Sequence, residues 1–385
     1  MAAGAESADL WGAIAISYQG LGRLTRAADC FMKAVKAEPE NAGAWSNLAT
    51  APQLQGNHPE AEKCLEKAIH LDPDYAMAYA NLGWTMKERF ALDRAIGSCQ
   101  RAIELEPDLA IAHANLAPAL IIQMRHNEAY ETYQRALELD PESWSQWSSY
   151  LFALNYSDTI GPEAVGEAHL SWGREHGRMP PTVLGFGARD SERRLRVGYV
   201  SPDFREHPVG FLIEPILVYR DRDRFEVYCY SHGTRTDSMT ARLRILPDAW
   251  TDVGNLSDEE VAQRIYDDRI DILVDLAGHT ASNRLPVFAR RPAPVQVSYA
   301  GYITTTGLQT MDAVIHDQRT YVPGTERFYS EKIIPLDTCV YCYRSPDDAP
   351  DVAPLPAGDN GFVTFGSFNN TPKLTRPRST CGHWF

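Results

Sequence analysis

A 34-residue period governs the first part of the chain. Trp11, Trp45, Tyr79 and His113 recur at that spacing, and so do Ile14, Leu48, Leu82 and Leu116. Three further registers keep step with them: Ala27, Ala61, Ala95 and Ala129; Ala34, Ala68, Ala102 and Ala136; Pro39, Pro73, Pro107 and Pro141. An aromatic, a large aliphatic residue, two small residues and a closing proline at this period mark the tetratricopeptide, a helix–turn–helix unit that stacks on its neighbours. Alanine lets the two helices approach closely, and proline stops the second one. Four units are read at 8–41, 42–75, 76–109 and 110–143, with a partial fifth from Trp144 as a cap. Pro52 falls inside the first helix of the second unit and is expected to kink it. Cys30, Cys64 and Cys99 fall midway along second helices and read as core packing.

Asn47, Asn81 and Asn115 form one more register at the same spacing. A polar amide repeated in phase marks one face of a solenoid, and the concave face is the usual binding surface of such stacks. Asparagine both donates and accepts hydrogen bonds, so it can grip the backbone of an extended peptide. The alternative is a bridge from one repeat to the next. Peptide contact is the expectation.

Beyond Trp144 the period is lost. Helical patterns continue through YLFALNY and PEAVGEAHLSWGREHG, and Pro180-Pro181 opens a linker. From Leu195 short β-rich runs alternate with helical ones. Strands are expected at 195–200, 225–230, 270–276, 295–299, 312–315 and 332–336, and helices at 209–219, 237–245 and 258–268. This alternation predicts a parallel, doubly wound α/β domain. The fold class is therefore a tetratricopeptide α-solenoid followed by a Rossmann-like parallel α/β domain. The divisions are a solenoid at 1–156, a helical linker at 157–192, an α/β half at 193–345, and a further linker with the start of a second half at 346–385.

In such sheets ligands bind at the carboxyl ends of the strands. That rule selects the loops holding His207, His279 and the run Thr304-Thr305-Thr306-Gly307. His207 precedes Pro208 at a helix start, and a helix N-terminus disfavours imidazolium, so a neutral ring is expected there. His279 reads equally as a rim contact or as a loop-stabilising hydrogen bond. The Thr/Gly loop could cradle phosphate or sugar hydroxyls through backbone N–H groups, or be only a turn. Neither a GxGxxG nor a GxxxxGK[ST] motif is present.

The net charge of −14 argues against non-specific nucleic-acid binding and against anionic membrane surfaces. No apolar run is long enough to span a bilayer, and the first residues lack the pattern of a secretory leader. Seven cysteines, thinly spread, do not form a disulfide framework, and a reducing cytoplasm is the expected location. Cys339 and Cys342 form a single CxxC, read as two thiols near a strand end rather than as a zinc or redox site.

The motifs resemble a known family. Repeats run into LFALNY, then LRVGYVSPDFREHPVG, DILVDLAGHT, FARRPAPVQVSYAGY, MDAVIHD and FYSEKIIPL. In that order the chain is similar to the O-linked N-acetylglucosamine transferase/SPINDLY family. The resemblance implies a GT-B architecture and an inverting transfer of a sugar from a nucleotide donor to protein Ser/Thr hydroxyls. The donor it implies is UDP-N-acetylglucosamine or GDP-fucose, with no other cofactor and no metal. The repeats would hold the acceptor polypeptide through Asn47, Asn81 and Asn115. His207 matches the family's active-site histidine in D-F-x-x-H-P. Asn370 and Lys373, in GFVTFGSFNNTPK, match donor contacts, with Lys373 on the phosphates; Thr305, Thr306, Gly307 and His279 are also assigned to the donor side. The family's G-Y-P-G-T-x-G loop is here Gly301-Tyr302-Ile303-Thr304-Thr305-Thr306-Gly307, without the inner Pro and Gly. The second half would begin near Gly361, so the chain is expected to be C-terminally truncated and weakly active or inactive alone. A non-catalytic peptide-binding scaffold is the alternative.

Overall fold

Every position of the 34-residue pattern has a structural duty in the first of the two units of the computed structural model. The model describes residues 7–20, 23–181, 185–186, 192–345 and 349–363. One unit ends at Leu154 and the next begins at Asn155. The first unit is a run of antiparallel helices: α1 (Ala8–Gly20), α2 (Leu24–Ala37), α3 (Ala42–Leu54), α4 (His58–Leu71), α5 (Ala76–Glu88), α6 (Leu92–Leu105), α7 (Ala110–Ile122), α8 (His126–Leu139) and α9 (Trp144–Leu154). The two alanine registers are buried in all four units. Cys30, Cys64 and Cys99 are buried too, and a Cβ on Gly83 would collide with the sulfur of Cys99. The helix α3 continues through Pro52 to Leu54, so the proline does not end it.

The aromatic register has a polar purpose as well. Trp45 Nε1 donates to the Pro39 carbonyl at 2.8 Å, and Trp147 Nε1 donates to Pro141 at 2.8 Å. His113 makes the same bond to Pro107 at 2.9 Å. An imidazole therefore stands in an aromatic register because its ring N–H reaches the same carbonyl. Exposed ion pairs repeat in phase as well, with Arg101 on Asp74 and Arg135 on Asp108.

The second unit is a seven-stranded parallel sheet. Its elements are α10 (Pro162–Glu175), β1 (Leu195–Ser201), α11 (Pro208–Tyr219), β2 (Phe225–Ser231), α12 (Ser238–Arg244), β3 (Ala249–Asp252), α13 (Asp258–Asp267), β4 (Ile272–Asp275), α14 (Leu285–Ala289), β5 (Val295–Ser298), β6 (Ala313–Asp317), β7 (Lys332–Leu336) and α15 (Pro356–Asn360). The strand order is β3-β2-β1-β4-β5-β6-β7, and every pairing is parallel. All six expected strands form. The strand β3 and the helix α14 were not foreseen; both are too short to show a period. Asp237 caps α12 through a reciprocal capping box with Thr240. One face of the sheet buries Val197, Val227, Val274, Tyr299 and Val340 with Ile213 and Leu217 of α11.

The helical pattern expected through PEAVGEAHLSWGREHG forms α10, which packs into this unit. Gly166, His169, Trp172 and Gly173 line its buried face. A Cβ on Gly173 would stand 1.8 Å from the Gly307 carbonyl oxygen, and one on Gly166 would stand 2.6 Å from the Phe328 side chain. Gly307 itself has φ +76° and presses on the His169 carbonyl. Backbone meets backbone here, which only glycine permits. Gly173→Ala is expected to destabilise the protein by about 1–3 kcal/mol, as overpacking does. Gly97→Ala is the control. It lies inside α6 with open space around it, and it should gain roughly 0.5–1 kcal/mol from helix propensity. Thermal melts of the two variants would separate these effects.

Candidate active site at the carboxyl edge of the sheet

The strand order reverses between β1 and β4, and the loops following these two strands diverge there. A crevice at that switch point is where doubly wound sheets bind ligands. The loop after β1 is tightly wrapped. Asp203 N–H donates to Ser201 Oγ at 3.0 Å, Arg205 pairs with Asp203 at 2.8 Å, and Gly210 lets the Arg205 carbonyl close on α11. The loop after β2 rests on it, with Gly233 against the Pro202 carbonyl.

His207 is the N-cap of α11. Val209 N–H donates to its Nδ1 at 3.3 Å, and Asp203 Oδ2 lies 3.7 Å from the same nitrogen. The side chain keeps 34% of its surface exposed. Burial lowers its pKa; Asp203 pulls it back up and Arg205 pushes it further down. The ring is therefore neutral at pH 7. With Nδ1 accepting from Val209, the proton sits on Nε2, so the outward nitrogen is a hydrogen-bond donor. This geometry suits the holding of an oxygen better than the removal of its proton.

The remaining sheet-edge residues are turned inward. His279 is 1% exposed and its Nε2 donates to the Thr306 carbonyl at 2.9 Å. Its ring packs edge-on against Trp172, His169 and Tyr302. Thr305 and Thr306 are fully buried. The Thr305 hydroxyl donates to Glu331 at 2.6 Å, the Thr306 N–H donates to Glu331 at 2.7 Å, and the Thr306 hydroxyl also reaches that carboxylate. The Gly307 N–H is bonded to Thr305 Oγ1 at 3.0 Å. The hydroxyls of Thr305 and Thr306 and the N–H groups of Thr306 and Gly307 are thus bonded inside the protein. For His279 the loop-stabilising role is the one the structure displays. Asn370 and Lys373 lie outside the described residues.

In the repeats, Asn81 Nδ2 donates to Ser46 Oγ at 3.2 Å and Asn115 Nδ2 donates to the Ala80 carbonyl at 3.0 Å. Each reaches the same register of the preceding repeat. Asn47 Nδ2 stands beside Gly12, the matching position of the first repeat. The amide nitrogens of Asn81 and Asn115 thus make the inter-repeat bridge.

With that geometry in place, comparison with known proteins shows what the chain is similar to. Residues 180–343 match the glycosyl transferase family 41 model, and residues 13–76 and 110–143 match tetratricopeptide repeat models. The chain thus joins segments that match tetratricopeptide repeats to a segment that matches the family 41 glycosyltransferase model. It is 40% identical over 230 residues to a probable UDP-N-acetylglucosamine–peptide N-acetylglucosaminyltransferase SPINDLY of Arabidopsis thaliana, covering 58% of this chain and 25% of that one. The Arabidopsis SEC protein is 36% identical over 163 residues, covering 42% and 17%. The structure of a Thermobaculum terrenum O-GlcNAc transferase mutant superposes with a TM-score of 0.80 at 35% identity, over 87% of this chain and 64% of that one. The chain matches about a quarter of the length of the plant SPINDLY relatives.

Several residues of the family 41 domain escaped the sequence reading. Glu331 was quoted within FYSEKIIPL but not singled out, although a carboxylate just before a strand is a plausible anchor for a neighbouring loop. Asp275 ends β4, accepts the N–H groups of Ala277 and Gly278 at 3.1 and 2.7 Å, and is pushed up to about 6 by burial, with Glu331 adding to the rise. His169 on α10 donates from Nδ1 to Val165 at 2.7 Å and accepts the Tyr302 hydroxyl at 2.7 Å. Burial pushes it down to about 4. An unfolded histidine binds its proton near pH 6.5, whereas this one resists protonation until about 4. The stabilisation is thus present above pH 6.5 and lost as pH falls through that window, on the order of 2–3 kcal/mol. Chemical denaturation between pH 7 and 4 should show a steeper loss of stability in the native protein than in His169→Gln.

Proposed function

We propose that the chain acts as a protein O-glycosyltransferase that moves N-acetylglucosamine from UDP-N-acetylglucosamine to Ser or Thr hydroxyls, with inversion at the sugar carbon. The observation that carries this reading is the junction, in one chain, of a tetratricopeptide stack with a family 41 sheet that sets His207 at its switch point. In this reading the repeats hold the acceptor polypeptide. His207 is the neutral donor that orients an oxygen at the reacting centre, and the positive end of the α11 dipole favours the negative charge of the nucleotide diphosphate. Asn370 and Lys373 belong to the donor side, Lys373 against the phosphates. GDP-fucose is the competing donor, and the cytoplasm is the proposed location. Among the described residues no helix is long and apolar enough to cross a membrane.

The test is transfer of labelled sugar to a Ser/Thr-rich peptide by the full product of the gene, with UDP-N-acetylglucosamine and GDP-fucose in parallel. His207→Ala is expected to lower the rate roughly 10²–10⁴-fold, as the loss of a positioned hydrogen-bonding or proton-transfer group does. A near-normal rate would remove His207 from the site. The inward-turned Thr305–Gly307 loop favours a second reading, a peptide-binding scaffold without donor affinity. Calorimetry with each nucleotide sugar separates the two, since a scaffold would bind neither.

Replacing Asn47, Asn81 and Asn115 together by Ala is expected to weaken peptide capture. It should also lower the melting temperature, since the bridges to Ser46 and Ala80 are removed with the side chains. The helical circular dichroism signal should persist. Unchanged peptide affinity would leave the asparagines with the structural role alone.

A further inference from the structure

Both cysteines of the CxxC lie on the segment after β7, which packs Val340 into the core on one face of the sheet. Cys339 and Cys342 are exposed and reduced, whereas Cys30, Cys64, Cys99 and Cys229 are buried. Between them Val340 is 1% exposed and belongs to the core of the sheet. Its N–H donates to Asp317 Oδ2 at 2.9 Å, and its carbonyl accepts the Tyr299 hydroxyl at 2.7 Å. Both cysteine side chains lie within electrostatic reach of that hydroxyl. The chain bends at Val340. Val340 is thus pinned to the core at a bend, between two exposed thiols, rather than in an extended strand. A spacing of three residues in an extended strand would separate them far beyond bonding distance.

We infer that Cys339 and Cys342 form a thiol–disulfide modification site, closed by exchange with a low-molecular-weight disulfide of the glutathione type. The step balances. One thiolate attacks a sulfur of the small disulfide, whose S–S bond breaks and releases one small thiol. The second protein thiolate then attacks the protein sulfur of the mixed disulfide and releases the other. The protein loses two hydrogens and the small disulfide is reduced to two thiols.

The feature that favours ring closure is the anchored bend at Val340. Val340 is held by core burial and by two hydrogen bonds, so the thiols keep their places while the exposed residue between them, Tyr341, adjusts. Cys342 also lines an apolar cavity of about 370 Å³ walled by Val197, Tyr199, Ile216 and Phe225. Oxidation would therefore fix the side chain at the mouth of that cavity. In a reducing compartment exposed pairs of this kind act transiently, as sensors or regulators, rather than as structural staples.

The chain itself provides a clean readout. Lys332 and Arg344 bound one tryptic peptide, residues 333–344, that holds both cysteines. The purified 385-residue chain is equilibrated in glutathione buffers from reducing to oxidising, and free thiols are trapped with iodoacetamide before digestion. The expected result is that this peptide carries two alkyl groups under reducing conditions. Under oxidising conditions it carries none and is lighter by two hydrogens, reversibly with dithiothreitol. Cys339→Ser should instead accumulate glutathione on Cys342, because the resolving thiol is gone. Alkylation of both cysteines at every ratio would overturn the inference. So would stable glutathione adducts on both in the native chain, or a disulfide-linked dimer on a non-reducing gel.

Discussion

The carboxylate of Glu331 holds the rim of the second unit together. Buried and bonded to two threonine hydroxyls and one backbone N–H, it fixes the path of the chain from Thr305 to Gly307. That path sets Gly307 against Gly173, and the backbone contact seats α10. With α10 come His169 and Trp172, which enclose His279 and Tyr302 in one aromatic cluster. A buried carboxylate with all its partners in place rigidifies its surroundings; the same carboxylate with any partner removed would be costly.

Two histidine chemistries follow from this arrangement. His169 and His279 are held neutral by burial and serve as bridges inside the rim. His207 is also kept neutral, but it stands at the start of a helix with part of its ring in solvent. An imidazole can be kept uncharged either by desolvation or by a helix N-terminus. His207 combines both while remaining accessible. Its Nδ1 is occupied by the Val209 N–H, so the helix cap also decides which nitrogen faces outward.

The repeats show a comparable economy. At three positions of the aromatic register a ring N–H bonds the carbonyl of the preceding closing proline, so Trp45, His113 and Trp147 do the same work. One asparagine per unit ties that unit to the one before it, as Asn81 and Asn115 do. Repeat stability of this kind is built from nearest-neighbour terms, so each such bond counts once for every junction.

Period and pattern, both properties of local sequence, determined the tetratricopeptide units, the six longer strands and the helix starts at Pro208 and Asp237. The alanine registers predicted which residues are buried, because close helix packing tolerates few alternatives. Tertiary structure alone decided the fate of the polar groups. Thr305 and Thr306 look like ligand contacts in a Gly-flanked loop, and the partner that claims them, Glu331, is about 25 residues away along the chain. His279 read equally as a rim contact or a loop-stabilising bond, and the packing of α10 against it favours the second. The short β3 and α14 left no period to read. A hydrogen-bonding side chain announces only that it needs a partner, and whether that partner is a ligand or a distant residue is settled by which segments the fold brings together.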